Sequence, residues 1–570
     1  MNKSLSAADI VPRRIRAVSR RPDGASVEIK TVEIIDSAVR VIDCANLRLR
    51  VGVLEEPQAG KALLDEITEG YEPVVLRSGL QIGTDQAEKK HSQATELTLR
   101  DVFPWFYHVS ASDGQVAQAR LRNVFVSTAG TFTFFKASPQ TASVKQSAHE
   151  AIRSSTSISP PAQTDNCTTM KTEPESATQR HEDFRKVDNM TFLEFVLRSR
   201  VSAHMNHAAT AEAAYADVLQ VEAAALAEEV RSWMNHEEER ADQRPCIWRH
   251  VLADLDGFRC GRQSLTPFLN SHEQLYLYGE PLLVNSAAKS TNGGASVASP
   301  DSSQGMYTLT NAPEGAQLHE KFHLSPNFLD TVNPDLLTTT LLWVSLQGQI
   351  SHLHYDLTET FLAQVAGTKR VLLFPPSVSE ELKAYPLDHP HDRQSQLRDL
   401  FDIEVEIPSS VLDSSKFDAY ANRFKGFQCV IRPGDVLYLP CGWWHHVWST
   451  PDESSVSATI NDSKSEQPTL GQRYTSPIIS LSRRWDPYKD AVRTAMIMLR
   501  QHGVPMLRER SDDSPGPDQD DVYVRLAELT ETESKVWAEA GVHPRVVPVW
   551  RVRVAQSKLL AEKRNAVPAL

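Results

Sequence analysis

The stretch Ser351-His-Leu-His-Tyr-Asp-Leu-Thr-Glu-Thr-Phe-Leu-Ala-Gln-Val-Ala-Gly-Thr-Lys-Arg370 carries the strongest signal in this chain. His354 and Asp356 are two residues apart, so on a β-strand both side chains leave the same face and can hold one ion. A second stretch, Pro440-Cys-Gly-Trp-Trp-His-His446, follows the apolar run Val436-Leu-Tyr-Leu439 and ends in further imidazoles. The two stretches together predict a metal site built on strands.

A third metal ligand for this site is available in His445. Two imidazoles and one carboxylate form the ligand set of non-haem Fe(II) oxygenases, which leaves coordination positions open for chemistry. A His-x-Asp pair alone is a weak signal, and its surroundings make it specific. Lys369 opens a later strand in Gly-Thr-Lys-Arg, and the turn Pro433-Gly-Asp followed by an apolar strand leads to His445.

Composition places the chain among globular proteins of ordinary make-up. It has 570 residues, of which 41% are hydrophobic and 23% charged, and its formal net charge is -13. No apolar run approaches the ~20 residues that a membrane helix needs, so no membrane partner is expected. The acidic balance argues against a general binder of nucleic acid or of anionic membranes.

The six cysteines are scattered, with no Cys-x-x-Cys pair and no secretory signal ahead of them. Reduced thiols are therefore expected, and the predicted location is the cytoplasm, the nucleus or both.

The chain divides by composition into a core with additions. Residues 1–25 are predicted to be a disordered basic tail, and residues 26–136 the N-terminal part of the core domain. Residues 137–187, rich in Ser, Thr, Gln and Pro, predict a disordered insertion. Residues 188–475 hold the catalytic core with a surface loop at 285–305, and residues 476–570 are predicted to be a C-terminal helical region.

From residue 338 to residue 461, short strands with Gly or Pro turns follow one another without helices. This pattern predicts a mainly β protein with added helices, whose core is an antiparallel barrel or jelly roll. Apolar residues at three- and four-residue spacing predict one long helix from about 207 to 239. A second such stripe, Tyr488, Val492, Ala495 and Leu499, predicts a C-terminal helix that either packs on its own sheet or pairs two subunits as a homodimer.

At this point the sequence resembles the JmjC-type Fe(II)- and 2-oxoglutarate-dependent oxygenases, and more narrowly the asparaginyl hydroxylases of the factor-inhibiting-HIF type. The resemblance spans roughly residues 71 to 499. It rests on His354-Tyr-Asp356, Phe361-Leu-Ala-Gln-Val-Ala-Gly-x-Lys-Arg, Leu373-Phe-Pro-Pro376, His389-Pro-His-Asp-Arg-Gln-Ser-Gln396 and Trp443-Trp-His-His446. It implies a cupin-like double-stranded β-helix that uses Fe(II) with 2-oxoglutarate and O2 as co-substrates.

The resemblance also implies a role for individual residues. The iron ligands would be His354, Asp356 and His445, and His445 is preferred to His446 because the family's ligand directly follows the Trp pair. The residues implied to surround 2-oxoglutarate are Lys369, Tyr276, Ser351, Thr360 and Asn461. The residues implied to position the substrate are Arg393, Gln394 and Tyr278.

Three positions depart from the asparaginyl hydroxylases. Thr360 replaces an asparagine near the co-substrate, Tyr278 replaces a glutamine that holds substrate, and Ser463 replaces a tryptophan beside the site. The oxygenase core survives these changes, but the identity of the substrate does not carry over with it.

The leading hypothesis is a protein hydroxylase that acts on Asn or a similar side chain and converts 2-oxoglutarate and O2 to succinate and CO2. A second hypothesis is a JmjC hydroxylase of a modified tRNA base or of protein Lys or Arg, and the acidic charge argues mildly against RNA. A third, from another class, is a catalytically silent cupin-like binding module or transcription cofactor. The intact triad with Lys369 opposes the third.

Overall fold

The structure is a computed structural model of the whole chain. It describes residues 10–20, 26–44, 64, 66–68, 70–78, 80–82, 98–110, 114–127, 131–132, 184–187, 189–207, 215–235, 244–263, 265, 274–284, 322–324, 337–346, 348–356, 358–379, 381–385, 393–406, 414–450 and 477–485.

The first of two large sheets has nine strands in the described part of the chain. In order of pairing they are β12 (Phe184–Val187), β10 (Val124–Ser127), β14 (Gln274–Val284), β16 (Leu337–Ser345), β24 (Ile478–Trp485), β18 (Glu359–Ala366), β22 (Val436–Leu439), β5 (Val74–Arg77) and β4 (Arg40–Asp43). We call it the nine-stranded sheet. Its neighbours pair antiparallel except β4 and β5, which are parallel.

The second sheet has six strands and carries the ligand stretches. In order they are β11 (Thr131–Phe132), β17 (Gln349–Tyr355), β23 (Trp444–Thr450), β19 (Thr368–Phe374), β21 (Phe427–Ile431) and β3 (Ser37–Ala38). We call it the six-stranded sheet. Each of its central strands β17, β23, β19 and β21 is antiparallel to the next in this order.

The two sheets face each other across a shared apolar core. Val371 and Leu373 of β19 lie in one buried cluster with Leu362 of β18 and Leu437 of β22. On β19, the intervening Leu372 and Phe374 point the other way, because successive side chains of a strand leave opposite faces. Both faces of β19 are covered in its second half, which explains the continuous apolar run from Val371 to Phe374. The mainly β jelly-roll class predicted from the sequence is confirmed.

Helices cover the outer face of the nine-stranded sheet. The α-helices whose bounds the structure gives are α1 (Leu99–Val102), α2 (Phe192–His207), α3 (Tyr215–Asn235), α4 (Arg244–Arg259) and α5 (Ser414–Arg423). Phe195 of α2, Leu226 of α3 and Val251 of α4 lie in one core cluster with Val344 and Leu481 of the sheet. None of the described helices is both long enough and apolar enough to span a membrane.

A third sheet covers the outer face of the six-stranded sheet. It consists of β2 (Ser26–Ile34), β1 (Arg13–Arg20) and β20 (Asp402–Glu406), with β1 parallel to β20. We call it the N-terminal sheet. Its buried side chains, Ile15 among them, pack with Phe374, with Trp444 and with Phe417 of α5. Short two-stranded pairs complete the described strands: β7 (Tyr107–Val109) with β8 (Val116–Gln118), β9 (Arg120–Leu121) with β13 (Met190–Thr191), and β6 (Leu80–Ile82) with β15 (Phe322–Leu324).

The N-terminal sheet corrects the prediction of a disordered tail over residues 1–25. Residues 13–20 form strand β1, and Arg13 in it is fully buried. The arginines that suggested a solvated tail are matched by carboxylates, because Arg13 pairs with Asp36 and Arg16 pairs with Asp402. These partners lie too far along the chain for a local sequence pattern to show them.

The structure also differs from two other predicted domain boundaries. Strand β12 occupies the last residues of the predicted disordered insertion 137–187 and pairs with β10. Strand β24 occupies the start of the predicted C-terminal helical region and pairs with β16 on one side and β18 on the other. The core therefore extends at least to Trp485.

The predicted long helix of 207–239 corresponds to α3, which begins at Tyr215 and ends at Asn235, while His207 ends the preceding helix α2. Helix α2 begins with a reciprocal cap: the Thr191 N–H donates to the Glu194 carboxylate at 2.7 Å, and the Glu194 N–H donates to the Thr191 hydroxyl at 3.1 Å. The surface loop 285–305, Asn461 and the C-terminal stripe of Tyr488 to Leu499 lie outside the described residues.

Candidate metal and co-substrate site

The predicted metal ligands meet on two adjacent strands of the six-stranded sheet. His354 on β17 lies directly opposite His445 on β23, and their ring centroids are 4.1 Å apart. Asp356 follows His354 by two residues, and one potential ligand atom from each of the three residues lies within 4.8 Å of the others. The register is irregular between Ser351 and His354, and the side chains of these two residues both face the inside of the jelly roll.

Hydrogen bonds fix which ring nitrogen of each histidine can bind a metal. His354 Nδ1 donates to the carbonyl of His352 at 2.7 Å, and His445 Nδ1 donates to the carbonyl of Trp443 at 3.1 Å. A carbonyl can only accept, so Nδ1 carries the proton in both rings. Each Nε2 therefore keeps a lone pair for a metal ion, as is usual for metal-binding histidines.

The charge states suit metal binding as well. Burial, together with the neighbouring His445, lowers the pKa of His354 to about 3, and burial also lowers the pKa of His445. Both imidazoles are therefore neutral at physiological pH, the form that a metal requires. Burial works against ionisation of Asp356, but Arg484 and the other nearby cations outweigh it and hold its pKa below the ordinary value.

These ligands form a set of two neutral imidazoles and one carboxylate, which suits Fe(II) or a similar divalent ion. Arg484 Nη2 donates to Asp356 Oδ2 at 3.1 Å and so orients the carboxylate from the opposite sheet. The site could hold a metal ion through His354 Nε2, His445 Nε2 and an Asp356 oxygen.

An inner cavity of about 50 Å³ lies between the two sheets beside the triad. Besides the three ligands, its walls are formed by Tyr276, Tyr278, Trp343, Ser351, Thr360, Leu362, Lys369, Leu439, Val447, Ser482 and Arg484. Four of the residues predicted to contact 2-oxoglutarate, namely Tyr276, Ser351, Thr360 and Lys369, therefore line one cavity.

Lys369 is the informative residue of the inner cavity. Its side chain is 3% exposed, and burial lowers its pKa to about 7. Within the part of the chain that the structure describes, no ion pair joins it to a carboxylate. A buried ammonium without an anion is costly, so the position suits a ligand that brings its own carboxylate.

Several hydroxyl groups line the same cavity. Tyr276 is buried and hydrogen-bonded to Ser351, and burial holds the pKa of the phenol well above its ordinary value. Thr360 is also buried, at 3% exposure. A carboxylate at Lys369 could therefore complete its hydrogen bonds with neutral donors.

A second cavity of about 170 Å³, which we call the outer cavity, adjoins His354 and Asp356. Its walls are formed by Asn123, Phe125, Tyr278, Gly279, Leu341, Trp343, His354, Tyr355, Asp356, Arg393 and Arg484. Arg393 and Tyr278, predicted to position substrate, line this cavity. Gln394 does not; it is buried and forms a bridge in the backbone with His354. Asn461 and Ser463 lie outside the described residues.

Sequence reasoning missed several residues of the site, above all Arg484 and Ser482 on β24. The alternation in Ile479-Ser-Leu-Ser-Arg-Arg-Trp485 was the available signal, because Ile479 and Leu481 face the helices while Ser482 and Arg484 face the cavities. The predicted C-terminal helical region begins at residue 476 and therefore includes this strand. Trp343, Asn123 and Phe125 carry no motif that separates them from ordinary strand residues.

The family of the chain is established by comparison with known domains. Residues 136–462, more than half of the chain, match the cupin-like domain. The matched range contains all three potential metal ligands and Lys369.

Several curated proteins are similar to part of the chain. Jumonji C domain-containing protein 5 of Drosophila melanogaster is 33% identical over 115 residues, which are 20% of this chain and 26% of that protein. Lysine-specific demethylase 8 of Xenopus tropicalis is 34% identical over 115 residues, which are 20% of this chain and 23% of that protein. The tRNA wybutosine-synthesizing protein 5 of Danio rerio is 29% identical over 132 residues, 23% of this chain and 34% of that protein.

The chain spans about a quarter of the length of the first two of these relatives. Among solved structures, the ribosomal oxygenase YcfD of Escherichia coli in complex with cobalt and 2-oxoglutarate is 13% identical. The match covers 37% of this chain and 43% of that one, with a TM-score of 0.14, a level at which the likeness says nothing about this chain. The family match and the Jumonji C relatives confirm the JmjC resemblance read from the sequence: this chain belongs to the cupin-like domain family.

Proposed function

We propose that the chain is an Fe(II)- and 2-oxoglutarate-dependent oxygenase that hydroxylates an asparaginyl or similar side chain of a partner protein. One observation carries the proposal: the buried cation of Lys369 opens into the same inner cavity as the three potential metal ligands. A purely structural metal site does not explain why a lysine is buried beside it without a carboxylate partner among the described residues. A co-substrate with a carboxylate at one end and metal-binding oxygens at the other would use both features.

The side chains then have separate tasks. The Lys369 ammonium pairs with the distal carboxylate of 2-oxoglutarate, and Tyr276 and Ser351 donate hydrogen bonds to it. His354, His445 and Asp356 hold the metal, and Arg484 orients Asp356. When bound, iron with 2-oxoglutarate and O2 supplies the oxidising power to hydroxylate an unreactive C–H bond. Trp343 and Tyr278 line both cavities and exclude water from the reacting centre.

Relatives of the chain support the reaction class and leave the substrate open. Their names include lysine-specific demethylases and a tRNA wybutosine-synthesizing protein. A second candidate is therefore oxidation of a protein lysine or of a modified tRNA base. The formal charge of -13 favours a protein over an RNA substrate, since RNA binders usually present a basic face.

Turnover of 2-oxoglutarate tests the proposal. The full chain is incubated with Fe(II), 2-oxoglutarate and O2, with and without protein extracts as substrate, and succinate is measured. We expect succinate from the wild type, and a loss of at least about a hundredfold in His354→Ala, which lacks a metal ligand, and in Lys369→Ala. Lys425→Ala, which removes an exposed lysine, should keep the wild-type rate.

A catalytically silent binding module would form no succinate under any of these conditions, and that result would reject the proposed enzyme. Where succinate forms, mass spectrometry of captured proteins for an added oxygen identifies the target class. An added oxygen on tRNA and on no protein would favour the second candidate.

The remaining sequence predictions belong to the same proposal. We propose a location in the cytoplasm or nucleus. The predicted insertion 137–187 up to residue 183, and the predicted C-terminal region 476–570 beyond Trp485, lie outside the described residues. Sedimentation velocity of the full chain, compared with a chain ending at residue 487, tests whether that region joins two subunits.

A further inference from the structure

The outer cavity next to the triad carries an unusual charge. Of the described residues that line it, two are arginines, Arg393 and Arg484, and the one carboxylate is Asp356. That carboxylate already serves as a potential metal ligand and as the partner of Arg484. A bound divalent ion would add further positive charge. The residues that line the outer cavity therefore carry a net positive charge.

Arg484 projects from the nine-stranded sheet toward the ligand strands. It lies on β24, opposite Thr339 of β16 and Thr360 of β18, and its side chain is 22% exposed. It lines both the inner and the outer cavity. Its Nη2 atom donates to Asp356 Oδ2 at 3.1 Å, and the planar guanidinium presents its N–H donors in a fixed fork.

Arg393 reaches the cavity from a different element. Its segment pairs with the end of β17, because the Tyr355 N–H donates to the Arg393 carbonyl at 3.1 Å and the Ser395 N–H donates to the Leu353 carbonyl at 2.9 Å. The backbone of Arg393 is thus fixed beside His354 and Asp356. Arg484 from the nine-stranded sheet and Arg393 from the segment beside β17 therefore line one cavity next to the potential metal site.

Aromatic rings form the remaining wall of the outer cavity. Tyr278 stands edge-on to Phe125 at 5.2 Å and to Trp343 at 4.7 Å between ring centroids. Such a wall packs against methylene groups of any side chain, and it could also attract an ammonium group. The guanidinium groups of Arg393 and Arg484 oppose the binding of an ammonium group, since like charges in a poorly solvated cavity repel strongly.

We infer that the outer cavity receives a protein segment that places an acidic side chain, Asp or Glu, at the metal site, and that Arg393 and Arg484 select it. This rests on the proposed function. A carboxylate matches the fork geometry of a guanidinium, whereas lysine, methylated lysine or arginine would bring a third cation. An acidic peptide is favoured over a nucleic acid because the net charge of -13 on the chain opposes a polymer with one phosphate per nucleotide more strongly than a segment with a single carboxylate.

Binding of synthetic peptides tests this selection. The full chain is loaded with Mn(II) and 2-oxoglutarate, and fluorescence anisotropy follows pools of random peptides that share a fixed central residue: Asp, Asn, Lys or trimethyl-lysine. We expect the Asp pool to bind about tenfold or more tighter than the Lys and trimethyl-lysine pools. Arg393→Gln and Arg484→Gln should each reduce that ratio severalfold, and Arg393→Lys and Arg484→Lys should retain most of it.

Arg398→Gln is the matched control. Arg398 lies in the same segment as Arg393, is exposed, and does not line either cavity, so the preference for acidic peptides should not change. Equal binding of all pools, tighter binding of a cationic pool, or displacement of the Asp pool by single-stranded RNA at lower concentration would overturn the inference. A preference that survives both Gln substitutions would overturn it too.

Binding of Mn(II) and 2-oxoglutarate is measured on every variant by titration calorimetry. Failure of the wild type to bind them would reject the proposed function itself. Intact binding of both with the wrong peptide preference would reject the selection of acidic side chains alone.

Discussion

Lys369 shows at the scale of one residue how function and stability oppose each other. Its side chain is buried between the sheets, and burial lowers its pKa to about 7 from an ordinary value of 10.5. The unfolded chain therefore binds one more proton than the folded chain between these two pH values. Stability contributed by this residue rises with pH across that window and is lowest below pH 7.

Lys369→Met should stabilise the protein without ligands, because it removes a buried charge and keeps the apolar stem. The gain in the free energy of unfolding should be on the order of a few kcal/mol near pH 6 and should shrink as the pH approaches about 10. Urea unfolding at several pH values measures it. Lys425→Met, at an exposed site, is the control; an equal gain at every pH would contradict the buried charge.

The sequence predicted this residue and the triad because each belongs to a short motif. His354 and Asp356 are two apart on one strand, and His445 follows a Trp pair after a turn and strand. Arg484 could not be found in the same way. Its partner Asp356 is 128 positions away, and only the pairing of β24 between β16 and β18 brings the two together.

At the scale of elements, a buried ion pair fastens the N-terminal sheet to the core. Arg13 Nε donates to Asp36 Oδ2 at 2.7 Å, and both side chains are fully buried. The same carboxylate accepts from Gln428 Nε2 at 2.7 Å and from the Gly426 N–H at 2.8 Å. Asp36 thus ties β1 to the entry of β21.

Asp36→Asn should destabilise the fold by about 3–5 kcal/mol, because it leaves the Arg13 guanidinium buried without a counter-charge. Asp402→Asn removes an exposed ion pair with Arg16 in the same sheet and should cost at most about 1 kcal/mol. Guanidinium chloride unfolding compares the two. Similar small losses for both would show that the Arg13 pair does not anchor the sheet.

The prediction of a disordered N-terminal tail is wrong for residues 13–20, because the strand that they pair with is distant in sequence. Basic residues near a terminus usually indicate a solvated tail, and nothing local in Arg13 to Arg20 reveals a carboxylate partner. Strand β1 is parallel to β20, which lies nearly four hundred residues later. Pairing across such a distance depends on the complete fold.

At the scale of the whole molecule, β24 joins the parts of the nine-stranded sheet. It pairs with β16 and β18 over most of its length and carries Ser482 and Arg484 into the cavities. The sheet therefore depends on residues after the cupin-like match, which ends at 462. The sequence predicted the jelly roll from its short strands but placed the end of the core before this strand.

A chain ending at residue 476 should fail to fold, because the sheet would lose a strand that is hydrogen-bonded on both edges. A chain ending at residue 487 keeps β24 and should retain far more of the native signal. Near-ultraviolet circular dichroism and cooperative thermal unfolding compare the two. A native-like spectrum from the shorter chain would contradict the central place of β24.

The central claim is that the triad and Lys369 form one site for a metal ion and 2-oxoglutarate. Calorimetric titration of 2-oxoglutarate into the full chain, with and without Mn(II), tests it most directly. We predict binding that requires Mn(II), is weakened at least about a hundredfold in Lys369→Met, and is unchanged in Lys425→Met. Equal affinity of the wild type and Lys369→Met for 2-oxoglutarate in the presence of Mn(II) would contradict the claim.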